Sequence, residues 1–196
     1  MTSPREKKPN QKKNSWTGII IWILIAIFLR WQVIEPRWIP SGSMLPTLNI
    51  QDRILVEKLS PKIKKFKNPS AMRNAIVVFN PPQQLIDAGY ESNAALIKRI
   101  VGIPGDKIEV NSGKLIRNGE TVKETWLSEP IGYEMKKIIV PPHSFWVLGD
   151  NRNNSLDSHL WGELPEENLI GTALVRYWPI NNIGSIRFSP STNVVS

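Results

Sequence analysis

The ten residues from Ile39 to Leu48 read IPSGSMLPTL, with two serines around one glycine and a proline on each side. A serine hydroxyl becomes a nucleophile for acyl transfer when a neighbouring base removes its proton and a third group orients that base. Ser43 is therefore a candidate nucleophile if the chain supplies a base. The same residue types also form ordinary turns, so the stretch alone leaves both interpretations open.

Lys98, in the segment LIKRI, is one candidate base. Alternate residues of a strand point to opposite faces, so Leu96, Lys98 and Ile100 share one face and Arg99 lies on the other. If the Leu96 and Ile100 face is the packed one, burial disfavours the ammonium and lowers the pKa of Lys98, as a general base requires. An exposed lysine on an edge strand is the alternative, because such lysines protect sheet edges from pairing.

Two histidines, His143 and His159, are the other candidate bases. A Ser-His-Asp arrangement needs a carboxylate to orient the imidazole, and Asp150 or Asp157 could supply it. His143 follows two prolines in a predicted turn, and His159 lies in a polar loop. The residue types alone do not choose between lysine and histidine.

Residues 149–162 read GDNRNNSLDSHLWG and concentrate Asp, Asn and Ser within a predicted loop. An EF-hand calcium loop requires Asp or Asn at its third position. Arg152 occupies that position when the loop is counted from Asp150, which excludes an EF-hand. A loop held together by Asx turns remains open.

The composition excludes several classes of protein. The 196 residues contain no cysteine and two histidines, which excludes a disulfide framework and leaves little material for a metal site. We therefore expect neither a metal nor another cofactor. The hydrophobic fraction of 41% fits one globular domain with appendages and is too low for a protein that crosses a membrane many times.

The N-terminal region predicts a membrane anchor. Residues 1–15 contain five basic residues and one acid, and residues 16–34 are mostly apolar. No small-x-small site follows the apolar run, so an uncleaved signal anchor fits better than a cleavable signal peptide. The apolar part ends at Leu29, which is short for a transmembrane helix, and Arg30 could reach the interface. By the positive-inside rule, residues 1–15 form a cytoplasmic arm and the rest of the chain lies beyond the membrane.

After residue 34 the pattern is mostly of period two and predicts an all-β fold. Short antiparallel strands separated by Gly and Pro turns are typical of a sandwich or barrel-like architecture. The segments that read as strands are DRILVEKL, NAIVVFN, ALIKRIVGI, DKIEV, KLIRNGETV, KIIVP, SFWVLGD and TALVRYW. IPGD, from Ile103 to Asp106, predicts a type II turn. We expect one β domain over residues 35–180, with a small hairpin insertion at about 111–139, and a loose C-terminal tail over 181–196.

Five segments in this order resemble the motifs of bacterial-type signal peptidase I, also called leader peptidase. They are PSGSMLPTL, DRILVEK, IVVFNPP, IKRIVGIPGDKIEV and GDNRNNSLDSHLWGELPEENLIGTA, and they reach from Glu35 to about Trp178. The resemblance implies a membrane-anchored serine endopeptidase with a Ser/Lys dyad, in which Ser43 is the nucleophile and Lys98 the general base. The amino-acid sequence of the last segment resembles that of the family members found in cyanobacteria and plant thylakoids.

The resemblance also implies an oxyanion hole and substrate pockets. The oxyanion hole would use the backbone N–H of Ser43 and the hydroxyl of Ser41. Ile39 and Ile97 fall on positions that line the small pockets for the substrate's side chains.

Support for the base is implied in the same way. Ser155 corresponds to the serine that hydrogen-bonds the catalytic lysine. Asp157 and Asp150 would brace the loop around it, Asp150 through Arg99.

The substrates of the family are secretory preproteins, whose signal peptides are cut after an Ala-x-Ala-like site. The resemblance therefore implies signal peptides and membrane lipid as partners, and no nucleic acid. It implies a single-pass protein of the plasma or thylakoid membrane, with the catalytic domain on the periplasmic or lumenal side.

Three departures from the family pattern stand out. Asn74 and Ala75 replace a usual glycine-acid pair, and Asn153 replaces a frequent aspartate. His159 replaces a common arginine, so the usual Asp–Arg pair cannot form as written. None of these positions is a predicted nucleophile, base or oxyanion donor, so we expect an active enzyme.

Three other functions stay open on the sequence. The run KIKKFK would suit a membrane-anchored module that binds anionic lipid or nucleic acid. Self-cleaving repressors share the Ser/Lys dyad, but they carry a DNA-binding domain where this chain has its predicted anchor. An inactive paralogue is the third possibility, because a fold need not retain its activity.

Overall fold

The computed structural model describes residues 15–59 and 69–186. All but the last residue of the predicted basic arm lie outside the described residues. So do the basic run KIKKFK and residues 187–196 of the predicted tail.

Antiparallel strands dominate the described residues. The helices are α1 (Ser15–Gln32), α2 (Gln83–Asp87) and α3 (Ser158–Trp161). The strands are β1 (Ile34–Trp38), β2 (Arg53–Glu57), β3 (Ile76–Phe79), β4 (Leu96–Gly102), β5 (Lys107–Asn111), β6 (Lys114–Arg117), β7 (Glu120–Thr121), β8 (Met135–Ile139), β9 (Ser144–Leu148), β10 (Leu164–Pro165), β11 (Leu169–Trp178) and β12 (Gly184–Ser185). Short 3-10 turns cover Gly42–Met44, Pro69–Met72, Arg152–Asn154, Glu166–Asn168 and Ile180–Asn182. The prediction of a predominantly β fold is confirmed.

Two sheets build the domain. The large sheet has eight strands in the order β1-β2-β11-β3-β4-β9-β10, with β12 paired to β11. The small sheet has the order β7-β6-β5-β8 and begins at Lys107, four residues before the predicted insertion. Because β4 lies between β3 and β9, Lys98 is on an interior strand and not on an edge.

The turn from β4 to β5 has the predicted geometry. The backbone N–H of Asp106 donates to the carbonyl of Ile103 at 3.0 Å, and Gly105 has φ +85°. A positive φ at the third residue is the mark of a type II turn and explains the glycine there. This turn fixes the point at which the chain leaves the large sheet for the small one.

Both faces of the central strands are packed. Val77 and Phe79 of β3 belong to one buried apolar cluster, whereas Ile76 and Val78 belong to another. A third cluster lies under the small sheet and includes Val101 of β4. Burial on both faces gives near-continuous apolar runs, and any polar side chain on β4 then needs a buried partner.

The predicted anchor overlaps α1, but it is not confirmed as a transmembrane helix. Within residues 15–59 and 69–186, no helix is long and apolar enough to cross a membrane. Arg30 lies in the last turn of α1, which ends at Gln32, and Ile34 of the predicted span already belongs to β1.

The predicted loose tail begins too early. Val175 of β11 pairs with Ser185 of β12, which extends the ordered chain beyond residue 180. Ile186 is buried in the same cluster as Ile54 and Val56 of β2. The strand pairing and the burial of Ile186 together explain why these residues are part of the domain.

Candidate active site

Ser43 and Lys98 meet in the interior of the domain. The Nζ atom of Lys98 is 2.6 Å from the Oγ atom of Ser43. Lys98 is 2% exposed and Ser43 is 9% exposed. The predicted proximity of these two residues is therefore present in the structure, across 55 positions of sequence.

The backbone around Ser43 is held by residues 149–162, here called the catalytic loop. The backbone N–H of Asn151 donates to the carbonyl of Ser43 at 3.0 Å, and its side-chain amide donates to the carbonyl of Gly42 at 3.1 Å. A Cβ atom at Gly149 would lie 2.5 Å from the Ser43 carbonyl oxygen, so only glycine fits there. The turn at Gly42–Met44 and the catalytic loop are therefore held together as one unit.

Lys98 has the electrostatic character of a general base. Burial lowers the pKa of Lys98 from 10.5 to about 8, although Asp157 and Asp150 act in the opposite direction. Desolvation disfavours the ammonium more than the two carboxylates favour it. A usable fraction of the amine is then neutral near physiological pH and can accept the proton of Ser43.

Asp150 forms a fully buried ion pair with Arg99. Arg99 Nε donates to Oδ1 at 2.7 Å and Arg99 Nη2 donates to Oδ2 at 2.6 Å, in a bidentate arrangement. Arg99 also donates to the carbonyl of Asn74 at 2.8 Å, and the hydroxyl of Thr47 donates to Asp150. The predicted link of Asp150 to Arg99 is therefore present, and it joins the catalytic loop to β4.

Asp157 holds the catalytic loop from within. Its Oδ2 atom accepts the backbone N–H of Gly149 at 2.8 Å. Its Oδ1 atom caps α3 by accepting the backbone N–H of His159 at 3.2 Å, and it is 2.7 Å from His159 Nδ1. His159 is therefore the hydrogen-bonding partner of Asp157, in place of the arginine that is common at this position.

The two supporting serines differ in their surroundings. Ser41 Oγ lies 3.4 Å from Ser43 Oγ, so its hydroxyl is next to the nucleophile. Ser155 Oγ is buried and has no hydrogen-bond partner among the described residues. The expected hydrogen bond from Ser155 to Lys98 is therefore not formed in this structure, in which the Lys98 amine contacts Ser43.

Ile39 and Ile97 lie together in one apolar cluster, at 2% and 8% exposure. Ile39 is joined to the loop after Ser43 by hydrogen bonds with Gln51 and Asp52. Ile97 is the β4 neighbour of Lys98 on the opposite face of the strand. Their role as walls of substrate pockets stays a prediction.

The two histidines do not contact the nucleophile. The side chain of His143 is 82% exposed, and its Nδ1 atom lies 2.9 Å from Glu166. His159 Nδ1 is directed to Asp157. Among the hydrogen bonds of the described residues, Lys98 is the basic side chain that reaches Ser43 Oγ.

The described residues contain no cluster of three or more His, Asp or Glu side chains that could hold a metal ion. The chemistry that the site can perform is nucleophilic attack by a serine, with a buried amine as the proton acceptor.

Comparison with known proteins decides the family. The family model of signal peptidase, peptidase S26, matches residues 13–178. The chain belongs to this family. Signal peptidase I of Leptolyngbya laminosa is 44% identical over 169 residues, which cover 86% of this chain and 81% of that protein. A probable signal peptidase I-1 of Synechocystis is 42% identical over 181 residues, covering 91% of this chain and 90% of that protein.

A plant relative has a similar level of identity. A probable thylakoidal processing peptidase of Arabidopsis thaliana is 43% identical over 164 residues, which cover 84% of this chain and 43% of that protein. The predicted resemblance to signal peptidase I, and to its cyanobacterial and thylakoid branch, is confirmed. This peptidase S26 member is therefore a hydrolase.

The structure explains why this signal peptidase tolerates Asn74. Asn74 has φ +64°, in the left-handed region that glycine and, next, asparagine adopt most readily. Its backbone N–H donates to the carbonyl of Ile100 at 2.7 Å, so the hydrogen bonding to β4 just before β3 is kept. The replacement of a usual glycine leaves the carbonyl of Asn74 in place to accept from Arg99.

Sequence reasoning missed the aromatic side chains near this peptidase site. Trp126 lies over the guanidinium of Arg99, and Tyr133 stacks on His159. Both residues are in an irregular connection without strand or helix periodicity, so no pattern in the sequence marks them.

Proposed function

We propose that this enzyme is a signal peptidase I that removes signal peptides from exported preproteins, with Ser43 as nucleophile and Lys98 as general base. The observation that carries the mechanism is the 2.6 Å contact between Lys98 Nζ and Ser43 Oγ in a buried site. The names of the similar proteins support the substrate class, since they are signal peptidases and a thylakoidal processing peptidase.

In each half of the reaction, Lys98 accepts one proton and then donates it. Neutral Lys98 accepts the proton of Ser43 as Oγ attacks the carbonyl carbon of the scissile bond. The carbon–nitrogen bond then breaks, and Lys98 gives the proton to the leaving amine. A water molecule, activated by the same lysine, attacks the acyl-enzyme, and the proton returns to Ser43 as the product acid is released.

Charge on the carbonyl oxygen would be stabilised by two donors next to the nucleophile. They are the backbone N–H of Ser43 and the hydroxyl of Ser41, whose oxygen is 3.4 Å from Ser43 Oγ. A donor of this kind contributes about 3 kcal/mol to the stabilisation of the transition state.

The substrate specificity is expected to favour small side chains. We expect rapid cleavage of preprotein peptides with alanine at the first and third positions before the cut. Leucine or phenylalanine there should lower kcat/KM at least about tenfold, because Ile39 and Ile97 are proposed as the walls of small pockets for these side chains. Initial rates on a peptide panel measure this. Equal rates for alanine and leucine would contradict the specificity, and a folded protein that cleaves no peptide would indicate an inactive paralogue.

The enzyme is also proposed to work at a membrane, with α1 in contact with lipid. Large apolar side chains cover every face of α1, and each is at least 40% exposed: Trp16, Ile19, Ile20, Ile21, Trp22, Ile23, Leu24, Ile25, Ile27 and Phe28. A helix that is apolar on all sides requires an apolar environment. The full chain should sediment with lipid vesicles, whereas an I20E/L24E double variant should stay in the supernatant.

A further inference from the structure

The connection between β7 and β8 packs against the catalytic loop. This connecting segment, residues 122–134, is anchored by Glu124, whose carboxylate accepts two hydrogen bonds from Arg152 at 2.8 and 2.6 Å. Arg152 Nε in turn donates to the carbonyl of Gly149 at 3.0 Å. Both side chains of the pair are nearly fully buried. The connecting segment is therefore firmly attached at the point where the catalytic loop meets Ser43.

One aromatic side chain of the connecting segment covers the partner of Asp150. The Cζ atom of Arg99 lies 4.3 Å from the centre of a Trp126 ring. The same guanidinium makes the bidentate contact with Asp150. A cation held on an aromatic face is both attracted and restricted in its rotation. Trp126 thus fixes the orientation in which Arg99 meets this carboxylate.

A second aromatic side chain covers the partner of Asp157. The rings of Tyr133 and His159 are stacked, with centroids 4.2 Å apart and planes inclined by 11°. The same imidazole contacts Asp157 through Nδ1 at 2.7 Å. The arrangement repeats that of Trp126: a carboxylate, its hydrogen-bonding partner, and an aromatic plate from the connecting segment.

Hydrogen bonding does not explain why Trp126 and Tyr133 pack against Arg99 and His159. Trp126 Nε1 and the Tyr133 hydroxyl are both buried, and neither has a hydrogen-bond partner among the described residues. A buried polar atom without a partner lowers stability, so these positions are not explained by hydrogen bonding. The stacking of the rings on Arg99 and His159 is the contact that accounts for them.

We propose that the connecting segment positions the catalytic lysine, because Trp126 and Tyr133 hold the partners of the two carboxylates that act on Lys98. Trp126 and Tyr133 are positioning residues, since they reach Lys98 only through Arg99 with Asp150 and through His159 with Asp157. The inference rests on the proposed function for its effect on catalysis, but not for its effect on the lysine itself.

The direction of the effect follows from the charges around Lys98. Asp157 and Asp150 are the carboxylates whose charges act on Lys98. The titratable and charged groups next to these carboxylates or their partners are Arg99, His159 and Tyr133, and the Arg152–Glu124 pair joins the catalytic loop to the connecting segment. Asp157 and Asp150 both raise the pKa of Lys98 against the larger effect of burial. If a partner loosens, its carboxylate is less compensated, and the pKa of Lys98 rises further.

The test is a direct titration of Lys98 in the full-length protein in detergent. NMR spectra of isotope-labelled lysine follow the amine against pH, and the signal absent from Lys98→Met assigns it. Trp126→Leu and Tyr133→Leu should each raise the pKa of Lys98 by about half a unit, and the double variant by about one unit. At pH 7 these changes lower the neutral fraction about threefold and about tenfold.

Three further variants distinguish a specific effect from general disturbance. Trp126→Phe and Tyr133→Phe keep a ring on Arg99 and His159, so they should titrate as the wild type does. Tyr90→Leu removes an exposed tyrosine of the β3–β4 connection and should also leave the titration unchanged. Folded Trp126→Leu and Tyr133→Leu proteins with an unchanged or lowered pKa of Lys98 would overturn the proposal, as would an equal rise in Tyr90→Leu. The titration requires no turnover, so absence of peptidase activity alone would count against the proposed function only.

Discussion

Lys98→Met will abolish cleavage of an Ala-x-Ala preprotein peptide, with kcat/KM falling by at least about a thousandfold. Methionine fills a similar volume but cannot accept the proton that Lys98 Nζ takes from Ser43 Oγ across 2.6 Å. Lys98→Arg should be equally inactive, because a guanidinium stays protonated in proteins. Initial rates over a range of substrate concentrations measure the loss.

One control variant and one stability measurement separate loss of the base from loss of the fold. His143→Ala should retain wild-type rates, because the side chain of His143 is 82% exposed and contacts Glu166, away from Ser43. Lys98→Met should remain folded and become more stable. An inactive His143→Ala protein beside an active Lys98→Met protein would contradict the Ser/Lys assignment.

The gain in stability follows from the titration of Lys98. The pKa of Lys98 is lowered from 10.5 to about 8 in the folded enzyme, so the unfolded chain binds more protons between these two values. The buried lysine therefore disfavours folding below pH 8, and this disadvantage disappears as the pH rises through 10.5. Replacing it with methionine should raise the free energy of unfolding at pH 7 by about 1–3 kcal/mol.

Asp150→Ala will lower the free energy of unfolding by about 3–5 kcal/mol, which is the largest stability effect that we expect from a single substitution in the site. The change leaves the guanidinium of Arg99 in the interior with no carboxylate to accept its two hydrogen bonds. The side chains of Arg99 and Asp150 are 1% and 0% exposed, so the pair is shielded from solvent and its loss is costly. Chemical denaturation with circular dichroism measures the change.

An exposed ion pair provides the matched control. Lys137 and Glu109 lie 3.6 Å apart on the small sheet, and the lysine side chain is 55% exposed. Lys137→Ala should change the free energy of unfolding by less than about 1 kcal/mol, because solvent screens such a pair. A loss of similar size in both variants would mean that the burial of the Arg99–Asp150 pair has no special weight.

Local patterns predicted most of the strands and the face of β4 on which Lys98 lies, whereas the Ser43–Lys98 dyad was implied by the family resemblance. Alternation along LIKRI placed Lys98 on the face of Leu96 and Ile100, which is buried. Proline and glycine in IPGD predicted the turn that ends β4. These features depend on neighbours within a few residues, so the sequence contains the whole signal.

Features that depend on distant contacts could not be predicted in this way. Strand alternation placed Arg99 on the opposite face from Lys98, but it did not show that this face is buried as well. The stacking of Trp126 on Arg99 and of Tyr133 on His159 joins an irregular connection to the site. Strand β1 and the pairing of β12 with β11 were also missed, because short edge strands have little pattern of their own.

The absence of a hydrogen bond from Ser155 has the same origin. Family resemblance gives the residue type at a position, whereas the geometry of the folded loop determines whether that side chain reaches Lys98. Here Lys98 is directed to Ser43, and Ser155 Oγ is left beside Gly149 without a partner among the described residues.

The pH dependence of kcat/KM on an Ala-x-Ala peptide tests the Ser/Lys assignment most directly, because it reports the essential groups of the free enzyme. Lys98 works only as the neutral amine, and its pKa is lowered to about 8. The rate should therefore rise about tenfold per pH unit on the acidic side and level off above a pKa near 8. Two results together would contradict the Ser/Lys assignment. The first is a pH profile that rises near 6.5, the ordinary pKa of a histidine, and loses this rise in His159→Ala; the second is an active Lys98→Met protein.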